Sequence, residues 1–236
     1  YELGKMQKAF SRFKGFLSRY PDSPRVFTAE YMLERIKRER GKEIREEKNE
    51  SLKENTIPVV RVNLGSDFPL RLILIRGGTL VFKGDSRQLP PGEYSFDYQG
   101  GDFVFQGKTL ASEVKIKTSV GFSLKGTEYL GDVLFTQNRG NPVLVNELSL
   151  EKYLLGVVPK EMSPSWSIQA LKAQAVAARS YAFYLVLHSR DKPYDVAATT
   201  ASQVYGGAKV GSKNTDMAVN HTRGEVLVYK DKPVLS

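Results

Sequence analysis

The sequence predicts an α+β fold: a mainly antiparallel β region with a long helix packed on it, preceded by an N-terminal helical hairpin. Three observations predict it. Apolar residues have helical spacing over roughly the first 36 residues, they alternate with period two from about Ile57, and helical spacing returns from Ser149. These changes of texture divide the chain into a hairpin with a charged linker, 1–55, and a second domain, 56–236.

From Leu3 to Tyr20 the apolar residues Met6, Ala9, Phe10, Phe13, Phe16 and Leu17 share one helix face, and Tyr20-Pro21-Asp22-Ser23-Pro24 stops the run. A second helical run opens near Ser23 or Pro24 and carries Phe27, Ala29, Tyr31, Met32, Leu33 and Ile36. Glu34 to Glu54 is then almost entirely charged, as in a solvated helix or linker. The first 40 residues resemble one tetratricopeptide-type hairpin. Such hairpins normally stack on neighbours, so a lone hairpin docked on the main domain is the alternative.

After Asn55, Val60, Val62 and Leu64 alternate with Arg61 and Asn63, and Val114 and Ile116 with Lys115 and Lys117. Turn signals recur at Gly65-Ser66-Asp67, Gly77-Gly78, Pro90-Pro91-Gly92, Gly100-Gly101, Gly121, Gly126 and Gly140-Asn141-Pro142. Half-buried antiparallel strands are therefore expected over 57–148, with no catalytic spacing among them.

From Ser149 a short helix is expected through Tyr153 and Leu155, followed by a connector, Val157 to Met162, because Pro159 and Pro164 bar a continuous helix. A longer helix should open with Ser163 as cap and Pro164 at its first position, and run through Ile168, Leu171, Ala175, Ala182 and Val186 to about His188. At about 100° per residue, Arg179 falls within the stripe that should face the core. A buried charge needs a partner, and Glu161 is the nearest attractive candidate in sequence, unless the guanidinium snorkels to the surface.

Composition excludes more than it selects. Lys and Arg outnumber Asp and Glu 35 to 26, a formal charge of +9 that favours encounter with polyanions without choosing among them. Cysteine is absent, which removes disulfides, thiolate metal sites and Cys nucleophiles. The chain begins at Tyr1 with no charged-then-apolar leader, so a targeting signal is expected to have been removed or to lie outside the given sequence. The longest apolar stretches, such as Leu72 to Ile75, are too short to span a bilayer, and a soluble chain is expected. His188 and His221 have no partner at metal-ligand spacing, so helix-end or surface roles are expected for both, with no metal and no cofactor.

Two blocks then carry a specific resemblance. The run NELSLEKYLLGVVPKEMSPSWSIQALKAQAVAARSYA, beginning at Asn146, is similar to the signature of the stage II sporulation protein D (SpoIID/LytB) family. Tyr194-Asp195, followed by Thr199-Thr200-Ala201-Ser202-Gln203-Val204-Tyr205-Gly206-Gly207, resembles that family's second stretch at the expected distance. Weaker likeness reaches back to about Ile57 and forward through Thr222 to Leu227; the hairpin lies outside it.

The resemblance implies an exported lytic transglycosylase of the cell envelope. It would act on peptidoglycan glycan strands, preferentially those lacking stem peptides, with the Glu of the Val-Val-x-x-Glu-Met motif, here Glu161, as acid/base. A hydrolytic glycosidase normally uses two carboxylates, whereas a lytic enzyme lets the sugar's own 6-hydroxyl attack, so one carboxyl group suffices. For that role Glu161 should carry a proton when substrate binds, in a partly apolar setting for which Val157, Val158, Met162 and Trp166 are near in sequence. Without the family signature, Glu161 would read as an acid complementing a helix N-terminus.

Arg179, Gln174, Tyr181, Ser202, Gln203 and Tyr205 match family-like positions and become candidate substrate-binding residues, each with a structural role as its alternative. Gly206-Gly207 reads as a tight turn and Asp195 as a loop-ordering residue. Family members usually continue past Pro233, so the second domain is expected to be truncated at its C-terminus. Competing readings are a non-catalytic amidase-enhancing adaptor that recruits a cell-wall amidase or another envelope protein through the hairpin, and a hydrolase pairing Glu161 with Asp195 or Glu151. Nucleic-acid binding is disfavoured because the basic residues are scattered and no helix-turn-helix, zinc-finger or RNA-binding signature stands out.

Overall fold

The computed structural model describes residues 58–189, 191–229 and 232–233. The expected hairpin and charged linker lie outside them. The chain divides into two compact units, one of residues 1–56 and 228–233, the other of 57–227 and 234–236. In the first unit the described part is a small antiparallel pair, Val228–Tyr229 with Lys232–Pro233.

The second unit is α+β. Its strands are β1 (Val59–Gly65), β2 (Leu70–Leu74), β3 (Gly78–Phe82), β4 (Asp85–Leu89), β5 (Gly92–Gln99), β6 (Asp102–Phe105), β7 (Lys108–Thr109), β8 (Val114–Lys117), β9 (Phe122–Leu124), β10 (Thr127–Tyr129), β11 (Asp132–Asn138), β12 (Asn141–Ser149) and β13 (Val196–Ala197). One sheet has the order β13-β1-β12-β11-β8-β3-β4 and the other β10-β9-β2-β5-β6-β7. All the ladders are antiparallel except β1 with β13.

The alternation seen in the sequence sets which face is buried. Val60 and Val62 are buried between more accessible neighbours, as are Val114 and Ile116. Apolar residues of both sheets, among them Leu72, Leu74, Leu80, Phe96, Phe103, Ile116, Phe122 and Phe135, form one continuous core. Four hairpins close through Lys83-Gly84, Gln106-Gly107, Lys125-Gly126 and Arg139-Gly140, with positive φ at both central residues of each. That geometry is type I′, whose twist matches the flanking strands; here a long polar side chain takes the place usually held by Asn or Asp.

Three helices complete the unit: α1 (Leu150–Glu161), α2 (Ile168–His188) and α3 (Lys213–His221). They pack with Val60, Val62, Leu148 and Val196 in a second core that contains Tyr153, Leu154, Val157, Val158, Ala175, Ala178, Ala182, Tyr205 and Val219. Among the described residues, no helix is long and apolar enough to cross a membrane.

Two local expectations are corrected. Val157 to Met162 is no connector, because α1 runs through Pro159 to Glu161. Pro159 deprives the Leu155 carbonyl of its helical donor, but the last turn is held by fully buried Val157 and Val158 and closed by Met162 N–H donating to Val158 O at 3.0 Å. The cap of α2 is Ser167, whose Oγ accepts from Ala170 N, rather than Ser163. Ser163 to Trp166 forms a turn, closed by Trp166 N–H to Ser163 O at 3.1 Å, with the Ser163 and Ser165 hydroxyls 2.9 Å apart. The helix ends at His188 as expected. His188 and His221 are exposed residues in the last turns of α2 and α3.

Candidate active site

The end of α1 presents Glu161. Its side chain is exposed, and one carboxyl oxygen accepts a hydrogen bond from the Val204 backbone N–H at 3.3 Å. Among the described residues the other oxygen has no protein partner. The alternative role for Glu161, an acid complementing a helix N-terminus, does not fit, since the residue closes one helix and the next cap is Ser167. A negative charge in the last turn opposes the macrodipole at a cost of about 0.3–1 kcal/mol, so helix stability does not explain it. The apolar surroundings expected for it are also only partial: Val157 and Val158 face the core, and Trp166 is 56% exposed.

The loop that meets Glu161 is pinned beneath by close packing. Gly206 N–H donates to Gly156 O at 3.0 Å. A Cβ on Gly156 would stand 2.4 Å from the Tyr205 ring and 2.7 Å from Gly207 O, so α1 must be bare there. Gly207 takes φ of +75°, and Ala208 N–H donates to Glu128 O at 2.7 Å, tying the loop to β10. Gly156→Ala is therefore expected to cost about 1–3 kcal/mol and to lower activity by displacing the Val204 amide, read by urea midpoint and turnover together.

The candidate binding residues separate into two groups. Gln203 and Tyr205 point inward. Tyr153 donates to Gln203 Oε1 at 3.4 Å, Gln203 Nε2 reaches Ala178 O at 3.5 Å, and Tyr205 donates to Asn146 Oδ1 at 3.1 Å. The same Asn146 donates to Leu130 O and Asp132 O. Ser202 Oγ accepts from Ala197 N–H at 3.2 Å. Gln174 and Tyr181, two turns apart on one face of α2, are half-buried. Burial above all, then the nearby Tyr181 and Glu161, raises the Tyr153 phenol far above the usual tyrosine range. Burial, then Tyr129 and Tyr153, does the same for Tyr205. Both hydroxyls stay neutral donors at any physiological pH. Tyr153 and the Val204 amide were not legible as site groups, although both lie within the two family-like blocks, because the contacts that define them cross 50 and 43 residues.

Arg179 is buried as expected, 1% exposed, but its partner is Glu151 rather than Glu161. Nε and Nη2 donate to the two Glu151 oxygens at 3.0 and 2.9 Å, Nη2 also reaches Val219 O at 3.1 Å, and Nη1 reaches Glu225 O at 3.1 Å and Thr222 Oγ1 at 3.3 Å. Gly224 N–H donates to Glu151 at 3.1 Å. Glu161 lies across the connecting loop, whereas Glu151 in the first turn of α1 faces the middle of α2, so helix packing selected the partner. Asp195 is likewise tied down: Arg61 grips it with Nη2 at 2.7 Å and with its backbone N–H at 2.8 Å. It orders its loop, as its sequence position suggested.

Asp216, in the first turn of α3, has one buried carboxyl oxygen without a hydrogen-bond partner, and burial raises its pKa above the ordinary 3.8. The unfolded chain therefore ionises first, and the stability this residue contributes at low pH is lost as pH rises through the folded value. Asp216→Asn should gain on the unaltered protein in urea midpoint from pH 3 towards pH 7, and a constant difference would contradict the sign. Among the described residues, no cluster of three or more His, Asp or Glu is arranged to hold a metal. Two cavities of about 460 and 430 Å³ lie in the β region, the first lined by Asp67, Arg71, Ile73, Glu93 and Lys125, the second by Phe82, Arg87 and Phe105; neither includes Glu161.

Comparison with known proteins finds relatives that cover half of this chain or a little more. An uncharacterised protein of Brachyspira hyodysenteriae is 46% identical over 122 residues, covering 51% of this chain and 33% of the relative. The amidase enhancer of Bacillus subtilis is 41% identical over 146 residues, covering 58% and 20%. Stage II sporulation protein D of Bacillus subtilis is 31% identical over 156 residues, covering 60% and 44%. The chain thus spans a fifth to under a half of the length of these relatives. Residues 138–229, which supply Glu161, the Val204 amide and the Arg179–Glu151 pair, match the family model described as stage II sporulation protein, and with these relatives the match supports the SpoIID family for this segment.

Proposed function

We propose that this domain is a peptidoglycan lytic transglycosylase, cutting glycan strands that lack stem peptides, with Glu161 as general acid and then base. The observation that carries the reading is the uneven use of three carboxylates. Glu151 is locked to Arg179 and Asp195 to Arg61, whereas Glu161 stands exposed with one oxygen unpartnered among the described residues. Of these three carboxyl groups Glu161 is the available one, which fits an intramolecular displacement and disfavours a hydrolase that pairs it with Asp195 or Glu151.

In the reaction, Glu161 donates its proton to the glycosidic oxygen and the bond from that oxygen to C1 breaks. The 6-hydroxyl of the same sugar bonds to C1, its proton passes to the Glu161 carboxylate, and the product is a 1,6-anhydro end with no water added. The Val204 amide orients the carboxyl group. In this reading the half-buried Gln174 and Tyr181 serve sugar hydroxyls and N-acetyl groups, while Gln203, Tyr205, Ser202 and Arg179 act by holding the loop and helices. The proposal includes export to the cell envelope, where the substrate lies; the charge of +9 favours approach to anionic wall polymers.

The amidase enhancer among the relatives favours a second reading, an adaptor that binds the wall or a wall amidase without cutting. The two separate on product masses from peptide-free strands. Anhydro ends formed by the unaltered protein and lost with Glu161→Gln support the lyase. Reducing ends bearing added water would replace it with a hydrolase, and amidase stimulation that survives Glu161→Gln without cutting would replace it with the adaptor.

A further inference from the structure

The chain contains one tryptophan, and the fold leaves it outside. Trp166 is 56% exposed in the loop between α1 and α2, five residues after Glu161, and among the described residues its indole N–H has no acceptor. The loop that carries it is fixed. Ser163 to Trp166 is a closed turn, Ser167 caps α2, and Asn214 of α3 donates to Pro164 O at 3.1 Å. A turn brings its ends within about 7 Å and the two residues before it add about 7 Å more, so Trp166 lies within about 14 Å of Glu161. Ser163, Ser165 and Ser167, all exposed, flank Trp166 in sequence.

Leaving so large an aromatic in water forgoes its burial, and its backbone is held in a closed turn five residues after Glu161. We propose that Trp166 is a sugar-stacking platform, a subsite for the glycan strand beside Glu161. The flat ring covers the apolar C–H face of a pyranose, the indole N–H donates to a hydroxyl or acetamido oxygen, and the serine hydroxyls meet the sugar's polar rim. The inference rests on reading Glu161 as the reacting group, but binding at Trp166 can be measured without cleavage.

The single indole supplies its own reporter. Titrating the Glu161→Gln chain with peptide-free glycan strands should give a saturable blue shift or quench of tryptophan emission. In the otherwise unaltered chain, Trp166→Ala should raise KM about tenfold with kcat changed less than about threefold, and Trp166→Phe should recover most of the loss, as expected for a stacking surface and not for a fold defect. Matched melting temperatures of the variants check the fold. A shift in emission without strand cutting by the unaltered chain would support the subsite while removing the lyase. Cutting with unchanged KM in Trp166→Ala and no emission change would overturn the subsite and leave the lyase intact. Emission that responds only to a purified wall amidase would also overturn it, in favour of a protein contact.

Discussion

Glu161→Gln should lower strand cleavage by about 10²–10⁴-fold, the usual share of a general acid, while leaving the fold as stable as before or slightly more so. The two halves of this result have separate causes. The amide cannot donate or take up the proton, so turnover falls. The side chain is exposed, makes one hydrogen bond through an oxygen the amide retains, and sits where its charge opposes the dipole of α1, so unfolding free energy should change by no more than about 1 kcal/mol. Product analysis by mass and a urea unfolding curve measure the two halves. A variant that cuts at the original rate would remove Glu161 from the mechanism, and one that loses activity by unfolding would make it structural.

Arg179→Ala should do the reverse. It leaves the Glu151 carboxylate, 8% exposed, without its counter-ion, and strips donors from Val219 O, Glu225 O and Thr222. Breaking a buried pair on one side costs about 3–5 kcal/mol, which for a domain of this size lowers Tm by about 6–20 °C. Arg179→Lys should recover little, because an ammonium cannot present the fork that spans both Glu151 oxygens and the carbonyls beyond. Replacing the pair together, Arg179→Met with Glu151→Leu, should restore part of the loss, since neither charge is then stranded. A drop under about 1 kcal/mol in calorimetry would show that water reaches the pair and that it ties the three helices together only weakly. Activity in these variants should track the folded fraction, because the guanidinium bonds to Glu151, Val219, Thr222 and Glu225 and makes no hydrogen bond to Glu161.

The two residues show why the sequence was legible for one and misleading for the other. Period-two alternation determined which faces of β1 and β8 are buried, and 3.6-residue spacing placed Arg179 inside the core, because both patterns are local consequences of backbone geometry. The turn glycines marked the strand ends for the same reason. Pairing is not local. Proximity in sequence offered Glu161 to Arg179, but α1 and α2 pack so that Glu151, 28 residues away, faces the guanidinium. Pro159 read as a helix breaker, although buried Val157 and Val158 hold α1 through it, since tertiary packing can exceed the cost of one lost hydrogen bond.

What the sequence by itself determined was the α+β character, the strand faces and turns, the end of α2, and the motif that singles out Glu161. Only the tertiary structure decided which carboxylates are spent on arginines, that Gln203 and Tyr205 face inward while Trp166 faces out, and that the Val204 amide meets Glu161. The physical reason is that helix and strand periodicities are written in adjacent residues, whereas charge pairing and exposure depend on which surfaces meet after the chain has closed on itself.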